Sequence, residues 1–163
     1  MLGAEHGAVP AGRLVAGDER ACHQALDQAH RTAAPDDDPG DASAGHGSFC
    51  TPAYLEMQRG ACWLTLGRPA RAVSSLDTAI RSLPSAYRRD RGAALSRQAA
   101  AYAALGEPAE AARAAMGALD IARAAGSGRV LKMTVAVADG LAAYAHIDAV
   151  ARLRSAVAAI PAV

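Results

Sequence analysis

The phrase "LGRPARA" at Leu66 to Ala72 returns as "LGEPAEA" at Leu105 to Ala111, 39 positions further along the chain. Each copy sets a glycine, and two residues later a proline, into text otherwise rich in the strong helix formers alanine, leucine, glutamate and arginine. Glycine takes the left-handed backbone without steric cost and so ends a helix. Proline has no N–H to leave unpaired in a first turn and so begins one. The phrase therefore writes helix, tight turn, helix, and a chain that writes it twice is constrained to repeat a helical hairpin.

The flanking text follows the same grammar. Thr51 is a side-chain N-cap and Pro52 the first position of a helix that Gly67 stops. Pro69 opens the partner helix, in which Ala72, Val73, Leu76, Ala79, Ile80 and Leu83 share one face, and Pro84 closes it. A second hairpin is predicted from about Arg88 to Leu105 and from Pro108 to about Ala125, ahead of Gly126 to Gly128. A weaker third unit is predicted from about Val130 to Tyr144 and from Asp148, as cap, to Ile160. Upstream, the helix predicted within Gly17 to Ala34 is capped by Asp18 and sets Ala21, Cys22, Ala25, Leu26 and Ala29 near one stripe. "PDDDPGDASAGHGS", Pro35 to Ser48, has too little apolar surface to bury and reads as an acidic flexible linker. The predicted division is 1–34, an N-terminal partial repeat of one or two helices; 35–50, the linker; and 51–163, the helical repeats.

Shifted by the same 39 positions, Gly60 falls on Ala99, Ala61 on Ala100, Trp63 on Tyr102, Ala72 on Ala111, Ala79 on Ala118 and Ile80 on Leu119. Small residues let paired helices approach closely, and one aromatic ring per unit is expected to fill the groove between units. Burial of Trp63 there implies that Trp63→Ala costs about 3–5 kcal/mol. Composition agrees: the chain is 52% hydrophobic but only 4% aromatic, so its core must come from closely approaching backbones. The expected fold class is all-α.

The positions Gly60, Trp63, Gly67, Ala72, Ala79 and Pro84, and then Ala99, Tyr102, Gly106, Ala111 and Ala118, resemble the tetratricopeptide (TPR) repeat pattern. The second unit lacks the closing proline. The family period is about 34 residues, and "SAYRRDRG" at Ser85 to Gly92 reads as the extra connection. More narrowly, "TPAYLEMQRG", "LGRPARAV", "LPSAYRRDRG", "LGEPAEAA" and "ALDIARAAGSGR" are similar to the C-terminal repeat region of actinobacterial helix-turn-helix transcriptional regulators, over about Asp18 to Val163. The resemblance implies a right-handed stack of hairpins, an α-solenoid, serving as the sensing or dimerising part of such a regulator. Nothing before Asp18 matches the DNA-binding domain of that family, so a stand-alone sensor half, a truncated paralogue and a remnant without independent function are all open.

The resemblance also implies a partner groove along the first helix of each hairpin. Carried over, it comprises Tyr54, Met57, Gln58, Ala61, Leu64 and Thr65 in one unit and Ala93, Ser96, Arg97, Ala100 and Ala103 in the next, with Tyr54, Met57, Gln58 and Arg97 as its handles. The expected partner is a protein or peptide, a second copy of the chain in a homodimer included. A lysine- and asparagine-based clamp on a chaperone tail is excluded, because the chain has no asparagine and a single lysine, Lys132. A second candidate is an anion patch of Arg81, Arg88, Arg89 and Arg91, which with Arg97 face Asp90 as the only acid between 81 and 97. The competing explanation is that these arginines cap helix C-termini. Asp36, Asp37, Asp38 and Asp41 of the linker could dock on the patch.

Other functions find less support. The formal net charge is +1, which argues for neither a membrane nor, through this chain alone, nucleic acid. DNA binding through the Arg cluster is the rival reading. Cys22, Cys50 and Cys62 are odd in number and without close pairing in sequence, which suits a reducing cytoplasm. With His23, His30, His46 and His146 they form no metal-ligand spacing, and Cys62 is expected to be buried and inert. Gly126 to Gly128 follows no strand and precedes no lysine, so it is not a phosphate loop. No catalytic set, metal or cofactor is expected. The opening residues lack an export signal, and Met133 to Ala145 is too short to span a bilayer, so a cytoplasmic protein is expected.

Overall fold

The structure, a computed structural model, describes residues 19–32 and 51–161. The expected cap at Asp18, the acidic linker and its docking lie outside the described residues. Seven α-helices follow in order: α1 (Glu19–Thr32), α2 (Pro52–Thr65), α3 (Pro69–Ser82), α4 (Arg88–Ala104), α5 (Pro108–Ala125), α6 (Gly128–Gly140) and α7 (Asp148–Ala158). A short 3-10 turn at Ala142–Tyr144 separates the last two. Regular structure among the described residues is wholly helical, so the chain is all-α there. None of these helices is long and apolar enough to cross a membrane.

The doubled phrase makes the same turn twice. At Gly67 and Gly106 the backbone is left-handed, with φ of 67° and 74°. The Gly67 amide bonds to the Leu64 carbonyl and the Arg68 amide to that of Trp63; after α4, Gly106 bonds to Ala103 and Glu107 to Tyr102 in the same way. This is the glycine-centred C-cap that satisfies carbonyls a helix end leaves open. A third such end, at Gly126 with φ 61°, has the Ser127 amide on the Ala122 carbonyl. The Ser127 side chain then accepts from the Val130 amide and starts α6 one residue later than the glycine stop. Thr51 caps α2 through the Tyr54 amide, 3.2 Å away.

Each helix from α2 to α7 packs on the next, α1 packs on α2, and α2, α4 and α6 also touch one another in a row. The core is mostly methyl groups. Ala72, Ala79, Ala94, Ala99, Ala101, Ala111, Ala115 and Ala118 have no measurable exposure, and Leu76, Leu119 and Leu153 are the larger pieces between them. Alanine cores cohere only if backbones come close. Gly60 shows how close: a Cβ on it would stand 2.5 Å from Leu76 Cγ across the α2–α3 hairpin. Polar ties cross between hairpins as well. Gln98 on α4 donates to Asp77 on α3 at 2.5 Å, and the Ser96 and Thr134 hydroxyls meet at 3.3 Å between α4 and α6.

The third unit departs from expectation. Its first helix ends at Gly140 and not at Tyr144, giving way to the 3-10 turn, and α7 begins at Asp148 with Ile147 as its cap residue and no side-chain cap bond. Asp148 thus sits in the first helical turn, where its charge faces the positive helix end, instead of capping it.

Gly60→Ala gains about 1 kcal/mol of helix propensity but forces a methyl into fully buried Leu76. The clash is expected to win, with a net loss of about 1–2 kcal/mol in urea denaturation followed by circular dichroism. A neutral or stabilising substitution would mean that α2 and α3 are further apart than described.

Candidate functional site

The row α2, α4, α6 carries the expected groove residues, but not all of them face outward. Met57 is 3% exposed and belongs to the shared core, so it is not a groove handle. Tyr54 and Gln58, at positions i and i+4, share the neighbouring stripe of α2 and remain half-buried. Ser96 is likewise core, its hydroxyl donating to the Gly92 carbonyl. Ala93 is buried too, whereas Ala61, Leu64 and Ala100 are half-buried and Thr65 and Ala103 exposed.

Arg97 is the handle with the most unusual surroundings. It is half-buried on α4, and its Nη1 is fully buried with no hydrogen-bond partner among the described residues. Burial, then the charge of Arg129 on α6, pull the guanidinium below its ordinary value, while Tyr54 and Asp90 act in the opposite sense. Asp90 lies two turns before Arg97 on α4. Burial pushes its carboxyl up, opposed by Arg129 and Arg97. Two guanidiniums thus share the field of one carboxylate that burial discourages from ionising. An unpaired buried N–H of a cation is expensive, and what it lacks is an acceptor, best a charged one. Arg129 was not among the expected site residues. The signal was present, since the 39-position shift carries Asp90 onto Arg129 and Gln58 onto Arg97.

The Arg cluster divides. Arg91 donates to the Ile80 carbonyl at 2.8 Å and the Leu83 carbonyl at 2.6 Å, closing the C-terminus of α3. It is a helix cap and not part of an anion patch. Arg89 makes a longer contact, 3.5 Å, to the Ala125 carbonyl at the end of α5. Arg81 and Arg88 are exposed. The device recurs elsewhere: Arg123 reaches the Ala156 carbonyl and Arg154 the Ala138 carbonyl, each near a helix C-terminus where a cation is favoured.

The seam between α1 and α2 is the other polar concentration. Arg59 on α2 bonds to Asp27 at 2.6 Å and Glu56 at 3.0 Å, and Glu56 also meets His30 at 3.0 Å. His23 stacks on Trp63 with ring centroids 3.8 Å apart, and the Arg71 guanidinium lies over the Trp63 ring at 4.7 Å from its centre. Trp63 is therefore half-buried under α1 and Arg71 as well as packed on the shared core, and does not simply fill a groove between hairpins. The loss on Trp63→Ala is correspondingly revised to about 2 kcal/mol. Cys22 and Cys62, separated by 40 positions in sequence, are brought together across this seam. No group of three or more His, Cys, Asp and Glu among the described residues is placed to hold a metal ion.

Comparisons with known protein families, with curated proteins and with solved structures found no match for this chain.

The seam makes a prediction about pH. Burial first, and then Arg59 and Arg71, lower the His23 value, with Glu19 and Asp27 opposing. The folded state therefore prefers the neutral ring. The stability this contributes is complete above the ordinary histidine value of 6.5 and is lost as pH falls from there to the folded value. Urea midpoints are expected to decline on acidification below 6.5, and His23→Phe, which keeps a ring on Trp63, is expected to flatten that decline. Identical pH profiles for the two proteins would remove His23 as the cause.

Proposed function

We propose that this chain is a non-enzymatic protein- or peptide-interaction module of the tetratricopeptide kind, a right-handed stack of hairpins that docks its partner on the α2–α4–α6 row. The stack is supported by the twice-written glycine turn, by the close hairpin approach at Gly60 and by the contact of alternate helices along the row. The service it performs, as the sensing or dimerising part of a transcriptional regulator, rests on the sequence resemblance over about Asp18 to Val163.

The observation that carries the docking reading is the buried Nη1 of Arg97, which has no hydrogen-bond partner among the described residues, beside Arg129 and Tyr54. Such a site selects an acceptor with negative charge. The partner is therefore a peptide or protein segment offering an aspartate, a glutamate or a free C-terminal carboxylate to Arg97, with an apolar side chain against Tyr54. Gln58, at the equivalent position one repeat earlier, supplies a neutral donor and acceptor for the backbone of an extended segment.

Selection from a randomised peptide library, followed by titration of the selected peptide, tests this. Enrichment of acidic residues or free C-termini is expected, with affinity falling as salt rises. Arg97→Met keeps the packed stem but removes the donors, and is expected to weaken binding about tenfold or more with helicity unchanged. Selected peptides without an acidic group, or equal affinity for the Arg97→Met protein, would contradict the reading.

A further inference from the structure

The α1–α2 seam holds a pair of thiols that the docking face does not use. Cys22, in the first turn of α1, is half-buried, and Cys62, near the end of α2, is buried; both are free. Their sulfurs lie 3.0 Å apart, the Cys22 thiol donating toward Cys62. That separation exceeds a disulfide bond by only about 1 Å. The approach is built by the helices themselves. Cys22, Leu26 and Ala29 form the stripe of α1 that meets Leu55 and Cys62 on the facing stripe of α2.

We propose that Cys22 and Cys62 are a redox-modification site, in which a peroxide forms an intramolecular disulfide that locks α1 onto α2 and a dithiol reductant releases it. The half-buried Cys22 is the residue a small oxidant can reach. Its thiolate attacks one peroxide oxygen; the O–O bond breaks, Cys22 becomes a sulfenic acid, and the other oxygen leaves with a proton as water or an alcohol. Cys62 then attacks the sulfenic sulfur. The S–O bond breaks, the S–S bond forms, and the hydroxyl leaves as water with the proton of Cys62. The two thiols together give up two electrons, and the peroxide accepts them.

The surroundings fit this order. Burial, then the hydrogen bond shared with Cys22 and the charge of Cys22, push the Cys62 thiol up to about 12, so it stays protonated until a neutral sulfenic acid stands beside it. The consequence falls on α1, whose described packing partner is α2 and whose attachment is otherwise a thin apolar contact, ion pairs and the His23–Trp63 stack. A covalent link joining residues 40 apart holds that attachment closed until the disulfide is reduced.

The test uses the full chain with Cys50→Ser, which removes the third thiol, treated with hydrogen peroxide, alkylated, digested with trypsin and analysed by mass spectrometry. The expected product is a link between the peptides 21–31 and 60–71 that dithiothreitol cleaves. Hydrogen exchange of the α1 amides is expected to slow about tenfold in the oxidised protein, and Cys22→Ser is expected to abolish both effects. Cys22 recovered as sulfinic or sulfonic acid while Cys62 remains alkylatable would overturn the proposal. So would an α1 exchange rate that is the same in the linked and reduced proteins.

Discussion

The closeness of neighbouring helix backbones is the constraint on which everything else in this structure rests. With few aromatic residues and a core of alanine methyl groups, there is little side-chain volume to bridge any gap. Dispersion contacts fade steeply with separation, so such a core coheres only when helices nearly touch. Gly60 against Leu76 is the clearest instance, and Gly92 does the same for α4, where a Cβ would meet Ile121 at 2.9 Å and Val130 at 3.2 Å. Close helices in turn demand short turns and well-finished ends. The glycine caps supply the first requirement, and arginines reaching across to carbonyls of other helices supply much of the second. The arginine abundance is therefore partly structural, and electrostatic readings must start from the arginines that remain.

That division separates the candidate site from its scaffold. Arg91, Arg123 and Arg154 are held by main-chain oxygens, and Arg59 by carboxylates of α1 and α2. Arg97 differs, because part of its guanidinium is buried without an acceptor among the described residues, while a second cation and a carboxylate whose ionisation burial opposes lie nearby. Burial concentrates the field of such a group, so one added acceptor is worth more there than at the exposed Arg81 or Arg88. The seam between α1 and α2 is a second chemically distinct place. It couples a histidine, a tryptophan and two thiols to the docking of a single helix.

The hairpins and their boundaries were legible in the sequence because they depend on local chemistry. Thr51 with Pro52, Gly67 with Pro69, and Gly106 with Pro108 each act within a few residues: α2, α3 and α5 begin at those prolines, and α2 and α4 end two residues before those glycines. The end of α6 was misread because no glycine or proline stop separates Ala138 from Tyr144 except Gly140, which lies within the helix it closes. The site was less legible. Tyr54, Gln58 and Arg97, named from repeat register, are half-buried, whereas Met57, one position from Gln58, turns into the core. The pairing of Cys22 with Cys62 depends on how α1 lies on α2, which no spacing within the chain encodes. The same holds for the stacking of His23 on Trp63.

The central claim is that Arg97 is a docking group awaiting an acidic partner and not an accident of packing. Nitrogen-15 NMR of the arginine side chains addresses it directly, with the Arg97 signal assigned from the Arg97→Met protein. On adding an acidic peptide selected for binding, the Arg97 Nε–Hε resonance is expected to shift downfield and its guanidinium rotation to slow, while those of Arg91 and Arg154, already bonded to carbonyls, stay in place. An Arg97 resonance unmoved at saturating peptide, with the perturbation elsewhere, would contradict the account.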